Sequence, residues 1–226
     1  MKIKKILLLI MVLFLTSCTS KDAITFKNDY EALNGKENIN GKEHRTINIP
    51  KNNPVKIISA KEVVDKIEKE DTFYVYFGSP LCPWCRSVIE KSLEVANNNG
   101  IKEIYYVEFW DKDGNEILRD KYTLDDSETP VKDTNGSEEY YKLLNALDEV
   151  LDEYTIKNKD GEEIDLNEKR IYLPTFIYIA KGKPIRMTTG ISDLQTGSRD
   201  ELTDDILADE EKKFDDFFIN VCDESC

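Results

Sequence analysis

Apolar and polar positions divide the 226-residue chain into three zones. Lys2, Lys4 and Lys5 precede an unbroken apolar run, Ile6 to Leu15. The run is shorter than the roughly 20 residues a membrane-spanning helix needs and fits the apolar region of a signal peptide. Residues 18–54 are rich in Lys, Asn, Asp, Glu and Gly and include the turn pairs Asn34-Gly35 and Asn40-Gly41. That pattern predicts a polar tether that packs loosely. From Val55 to the end, residues 55–226, apolar positions recur with the periods of strands and helices.

Within this third zone Val55–Ile58 reads as a short strand. Ser59 and Glu62 form a capping box, so a helix should start at Ala60 with Val63, Val64 and Ile67 on its apolar stripe. Phe73–Phe77 is aromatic and β-branched, as expected of a central strand covered on both faces. A helix follows from the Cys82-Pro83-Trp84-Cys85 segment to Ala96, closed by Asn99-Gly100, and Ile104–Phe109 is a third strand. Residues 111–170 are polar except for a predicted helix, Ser137–Tyr154. Lys159-Asp160-Gly161 then turns a hairpin between Tyr154–Lys157 and Glu163–Leu166. Ile171–Ala180, interrupted by Pro174, and Pro184–Thr188 are strands joined by a tight turn. A final helix capped by Thr203 carries Leu207, Phe214, Phe217, Phe218 and Val221 on one face. The fold class is α/β. The first three strands are expected to be parallel because helices connect them, and the last two antiparallel.

Composition narrows the chemistry. A net charge of −14 argues against nucleic acid as a partner, since neutralising phosphates requires a basic face. A single histidine, His44, is expected at the surface and argues against a His-rich metal site or a Ser-His-Asp hydrolase. The five cysteines must carry any unusual chemistry. Leu15-Thr16-Ser17-Cys18 resembles a bacterial lipobox. It implies cleavage after the signal peptide, residues 1–17, and a lipid on Cys18 that anchors the chain to the outer face of the cell membrane. Removing the three lysines takes the net charge to −17. Anionic headgroups repel such a body, so the anchor rather than charge would hold it there.

Cys82 and Cys85 have the spacing of a redox pair at the start of a helix that follows a buried strand. Cys82, at the helix N-cap, is placed to have its thiolate stabilised by free N–H groups and the helix dipole. Pro83 at the first helical position forfeits no hydrogen bond. Cys85 falls on the apolar stripe with Ile89, Leu93 and Ala96, so Cys82 is the expected nucleophile and Cys85 the resolving thiol. Arg86 is expected to be solvated, or else to lower the thiolate pKa. Trp84 is a substrate-contacting ring or a surface one. Zinc would need Cys222 and Cys226 as further ligands, and the redox reading is preferred, with neither metal nor cofactor required.

Cys-x-x-Cys at this strand–helix junction, with Leu173-Pro174-Thr175-Phe176 followed by strand, turn, strand and Gly190, resembles the thioredoxin superfamily over about residues 55–110 and 170–221. The resemblance implies a mixed sheet flanked by helices, with residues 111–170 inserted before the strand that follows a cis-proline. It implies that Leu173 and Pro174 face the cysteine pair and bind an extended substrate strand, although Pro174 alone also fits an edge strand. Tyr30–Gly35 and Phe77-Gly78-Ser79 are similar to lipid-anchored thioredoxin-like proteins of Gram-positive bacteria, some labelled bacteriocin-transport accessory proteins. The sequence departs from the family where Tyr76 replaces a buried acid and Leu81 a tryptophan.

The expectation is therefore a membrane-tethered extracytoplasmic thiol–disulfide oxidoreductase acting on protein thiols and disulfides, with a separate redox partner. The alternative is a non-catalytic accessory module of a secretion system. The last strand should run parallel to the strand that carries the cysteines, so the final helix leads away from them. Cys222 and Cys226 are accordingly expected to form a local disulfide, with relay to Cys82 or exchange with a partner protein left open.

Overall fold

The computed structural model describes residues 20–111 and 113–218. The lipid-site cysteine Cys18 and the tail cysteines Cys222 and Cys226 lie outside the described residues. Among those described, no helix is long and apolar enough to cross a membrane.

The centre is a five-stranded mixed sheet. β1 (Val55–Ile57), β3 (Ile104–Glu108) and β2 (Phe73–Gly78) are parallel, and β8 (Thr175–Ala180) and β9 (Lys183–Thr188) continue as an antiparallel pair, in the order β1-β3-β2-β8-β9. β2 is buried along its whole length, and its alternating side chains feed two cores. Tyr74 and Tyr76 face helices α3 (Pro83–Asn98) and α5 (Asp204–Phe218), while Phe73, Val75 and Phe77 face α2 (Ala60–Glu68) and α4 (Glu138–Leu147). The α2 capping box forms as its sequence requires. At the far edge Gly190 has φ +69°, and a Cβ there would lie 2.0 Å from Phe214 Cζ, so only glycine lets α5 close on the sheet.

Three expectations are corrected. The segment read as a loose tether begins with a helix, α1 (Lys21–Glu31), capped by Ser20. Ala23, Phe26 and Tyr30 bury one face of α1 in the same core as α3, followed by Ile47 and Ile49. Asn34 pins the returning chain by hydrogen bonds to both backbone groups of Ile47. His44 is buried rather than at the surface, and burial, then the cations of Arg86 and Arg199, lower its pKa.

The helix read as Ser137–Tyr154 ends at Leu147. A single 3-10 turn, Asp148–Val150, follows, and then β6 (Asp152–Lys157) pairs with β7 (Glu163–Arg170). Leu151 and Tyr154 are buried, but from the turn and the strand. The spacing of the apolar residues stayed helical while the backbone did not. A second hairpin pairs β4 (Lys121–Leu124) with β5 (Pro130–Thr134); its alternation is confined to Tyr122 and Leu124, and Val131 of β5 is exposed, so the pattern is too short to reveal it.

Candidate redox site

The β2 strand ends at Gly78, and a short loop, Ser79–Leu81, enters α3. A Cβ on Gly78 would lie 2.2 Å from the Tyr76 hydroxyl oxygen, so glycine is what lets that ring pass the backbone. Cys82 is the N-cap of α3 and Pro83 its first residue. The Cys85 backbone N–H donates to Cys82 Sγ at 3.3 Å, as a capping bond should. The Cys82 thiol in turn donates to the Leu173 carbonyl oxygen at 3.7 Å. The Leu173–Pro174 peptide is cis, as the resemblance implied, and Pro174 is buried beside the pair. Trp84 is half-buried next to Cys82.

The two sulfurs differ in the way N-cap and stripe positions dictate. The Cys82 pKa is lowered, first by the hydrogen bond from the Cys85 thiol and then, against burial, by the backbone N–H groups of Cys85 and Trp84 and the charge of Arg119. The Cys85 pKa is pushed well up by complete burial and by the neighbouring Cys82. One thiol is thus prepared to ionise and the other to stay protonated. Cys82 is only 4% exposed, so a reacting sulfur must enter between the α3 N-terminus and the Leu173–Pro174 turn.

Arg86 is neither solvated nor directed at the thiol. It is 1% exposed, and its guanidinium donates to the carbonyls of Tyr30 at 2.7 Å, Pro80 at 3.3 Å and Arg45, and to Asn34 Oδ1 at 2.8 Å. It ties α1 and residues 34–45 to the loop that carries Cys82.

Other groups at the site left little trace in the sequence. Arg119, from the inserted segment, reaches back to the Ile171 carbonyl and lies over the Phe109 ring, which brings its charge to Cys82. Deep under the pair, the Tyr76 hydroxyl bonds to the Tyr30 hydroxyl at 2.7 Å. Glu108 ends β3 next to Ser79 and accepts the Tyr106 hydroxyl. An acid closing an otherwise apolar strand was its one visible signal. Comparison with known proteins adds no relative, since no protein-family model and no curated protein matches the chain.

Proposed function

We propose that the chain is an extracytoplasmic thiol–disulfide oxidoreductase of thioredoxin-like fold, held at the membrane by a lipid on Cys18. The observation that carries this reading is the asymmetry of the cysteine pair: Cys82 caps α3 with its thiolate favoured, and Cys85 lies beneath it with its thiol favoured. The thiolate of Cys82 attacks a client disulfide, a mixed disulfide forms, and Cys85 displaces the client sulfur. The reverse sequence oxidises a client dithiol. Leu173 would offer its backbone to the client chain and Trp84 would flank the attacked sulfur.

A Cys85→Ser variant tests this directly. It should accumulate client proteins as mixed disulfides on Cys82, visible as reducible adducts on non-reducing gels, and adding Cys82→Ser should abolish them. Absence of adducts, together with no disulfide reduction by the wild-type protein, would sink the proposal in favour of the accessory-module alternative. The reduction potential of the Cys82–Cys85 pair would then set the direction of electron flow. Dithiols of this kind span roughly −270 to −120 mV.

A further inference from the structure

This inference rests on the oxidoreductase reading and concerns which clients the site takes. A groove of about 520 Å³ opens beside the loop that carries Cys82, on the β3 side of β2 and so on the side away from Leu173. Pro80 and Leu81, the residues just before Cys82, form one edge of it. Leu33, past the end of α1, and Ile57, at the end of β1, form another. Trp110 and Ile117, in the turn that follows β3, complete it. That turn is a built feature. Trp110 bridges to Glu116, and the Ile117 N–H donates to the Phe109 carbonyl at 3.0 Å. At its tip Gly114 lies close enough that a Cβ there would sit 3.8 Å from Leu81 Cδ1. Ile117 is 49% exposed and Ile57 36%. Single exposed apolar residues are ordinary, but these two line one concave surface next to the nucleophile.

The groove is also acidic. Asp29 of α1, Glu108 and Asp111 line it, and no lysine or arginine does among the described residues. Hydrogen bonds from the Asn115 side chain and backbone N–H lower the Asp111 pKa and keep it charged. Glu108 is partly buried and accepts the Tyr106 hydroxyl and, at 3.2 Å, the Trp110 N–H. The walls from α1 and from residues 111–117 lie outside the stretches that resemble the thioredoxin superfamily, so the groove belongs to this chain's own additions.

We propose that this groove seats an apolar side chain of the client protein, flanked by lysine or arginine and a few residues from the client cysteine. The apolar walls anchor the side chain, and the three acids select its cationic neighbours. A second copy of the chain, itself at −14, would meet like charge there. A client strand passing Cys82 covers about 10 Å in three residues, enough to carry a side chain across Leu81 into the groove.

The chain has two tryptophans, so with Trp84→Phe the remaining one, Trp110, reports on the groove in the whole protein. The probe is a blocked peptide without cysteine, two leucines between lysines. It should shift the Trp110 emission and bind at least about threefold more tightly than the same peptide with glutamates for lysines, the gap closing at about 1 M salt. Serines in place of the leucines should weaken binding about tenfold, and so should Ile117→Arg. Asp29→Lys, at an exposed position, should narrow the preference for lysine. Ile185→Arg, as exposed as Ile117 but on β9, should leave binding unchanged. With a cysteine added three residues from the leucines, as its nitrobenzoate mixed disulfide, replacing the leucines by serines should raise the KM for release of the coloured thiolate about fivefold and leave kcat. Equal affinities for the lysine and glutamate peptides, wild-type binding by Ile117→Arg, or equal KM values would overturn the inference. So would a dimer in solution that Ile117→Arg dissociates, since the groove would then hold a second copy. If no peptide released the coloured thiolate, the oxidoreductase reading itself would fail, and the fluorescence titration would still decide the groove.

Discussion

Replacing Arg86 with leucine should cost this protein about 3–5 kcal/mol of stability, the range for breaking a buried charged network. The guanidinium is the sole hydrogen-bond donor shown for the carbonyls of Pro80 and Arg45, and it shares the Tyr30 carbonyl with the Leu33 N–H and Asn34 Oδ1 with the Ile47 N–H. Leucine has similar bulk near the backbone and no donor. Each buried acceptor left bare costs about 1–3 kcal/mol, so the two left without any donor set an upper limit near 6. Two effects reduce that. Residues 34–45 can move and admit water, and the cost of burying the guanidinium, several kcal/mol, is recovered. With a urea slope of about 2–3 kcal/mol/M, the unfolding midpoint should fall by about 1–2 M. Arg86→Lys should recover less than half, because an ammonium cannot match the spread of the fork. Arg86 is not among the groups that favour the Cys82 thiolate, so the Cys82 pKa, followed by thiolate absorbance, should stay put. A midpoint within about 0.2 M of wild type, less than one unmade hydrogen bond, would refute this account. A large rise in the Cys82 pKa would restore the view that Arg86 acts on the thiol.

Phe26→Ala should lose about 3–5 kcal/mol in denaturant melts, the cost of emptying a core aromatic site; a loss under 1 would mean α1 is only draped on the domain. Gly190→Ala should lose about 2–5 kcal/mol, since the new methyl meets the Phe214 ring and the residue must hold a positive φ, and a wild-type thermal midpoint would exclude the contact. Glu210 is buried with neither carboxylate oxygen bonded, and burial pushes its pKa up to about 7. The folded state therefore binds this proton more tightly than the unfolded chain, so stability falls as pH rises from about 4.5 to 7 and stays lower above that, by up to about 3 kcal/mol. Glu210→Gln should flatten that slope and gain stability at pH 8, and a slope unchanged by the substitution in urea melts across pH would reject it.

The parts of the fold that were legible are those where local rules agree with the packing. The Ser59–Glu62 box, the all-buried β2 and the Cys82-Pro83 start of α3 each satisfy a backbone requirement with adjacent residues. Helix α1 was hidden because it buries only Ala23, Phe26 and Tyr30 among charged neighbours, although their spacing lies on one helical face. The helix of residues 137–154 was drawn too long because Leu147, Leu151 and Tyr154 keep a helical interval across a change to strand. At the site, placements set by chain-local geometry were readable, the N-cap position of Cys82 and the buried stripe position of Cys85. Those set by contacts across the chain, such as Arg86 to Tyr30 or Arg119 toward Cys82, were not, because a charged residue's sequence gives no sign of which distant carbonyl or sulfur it will meet.

If Cys18 carries the proposed lipid, the docking of α1 limits how the molecule would stand. With the lipid on Cys18, only Thr19 and Ser20 precede the helix, at most about 7 Å of chain. The near end of α1 sits at the base of the sheet, where the Ala23 carbonyl meets Asn53 just ahead of β1. Its far end, at Tyr30, reaches Arg86 beneath the cysteine loop. The molecule then has no leash. An anchored molecule would stand on the bilayer by its base, with β2 rising about 20 Å toward Cys82. In that pose Cys82 would lie at the pole opposite the anchor, facing away from the bilayer.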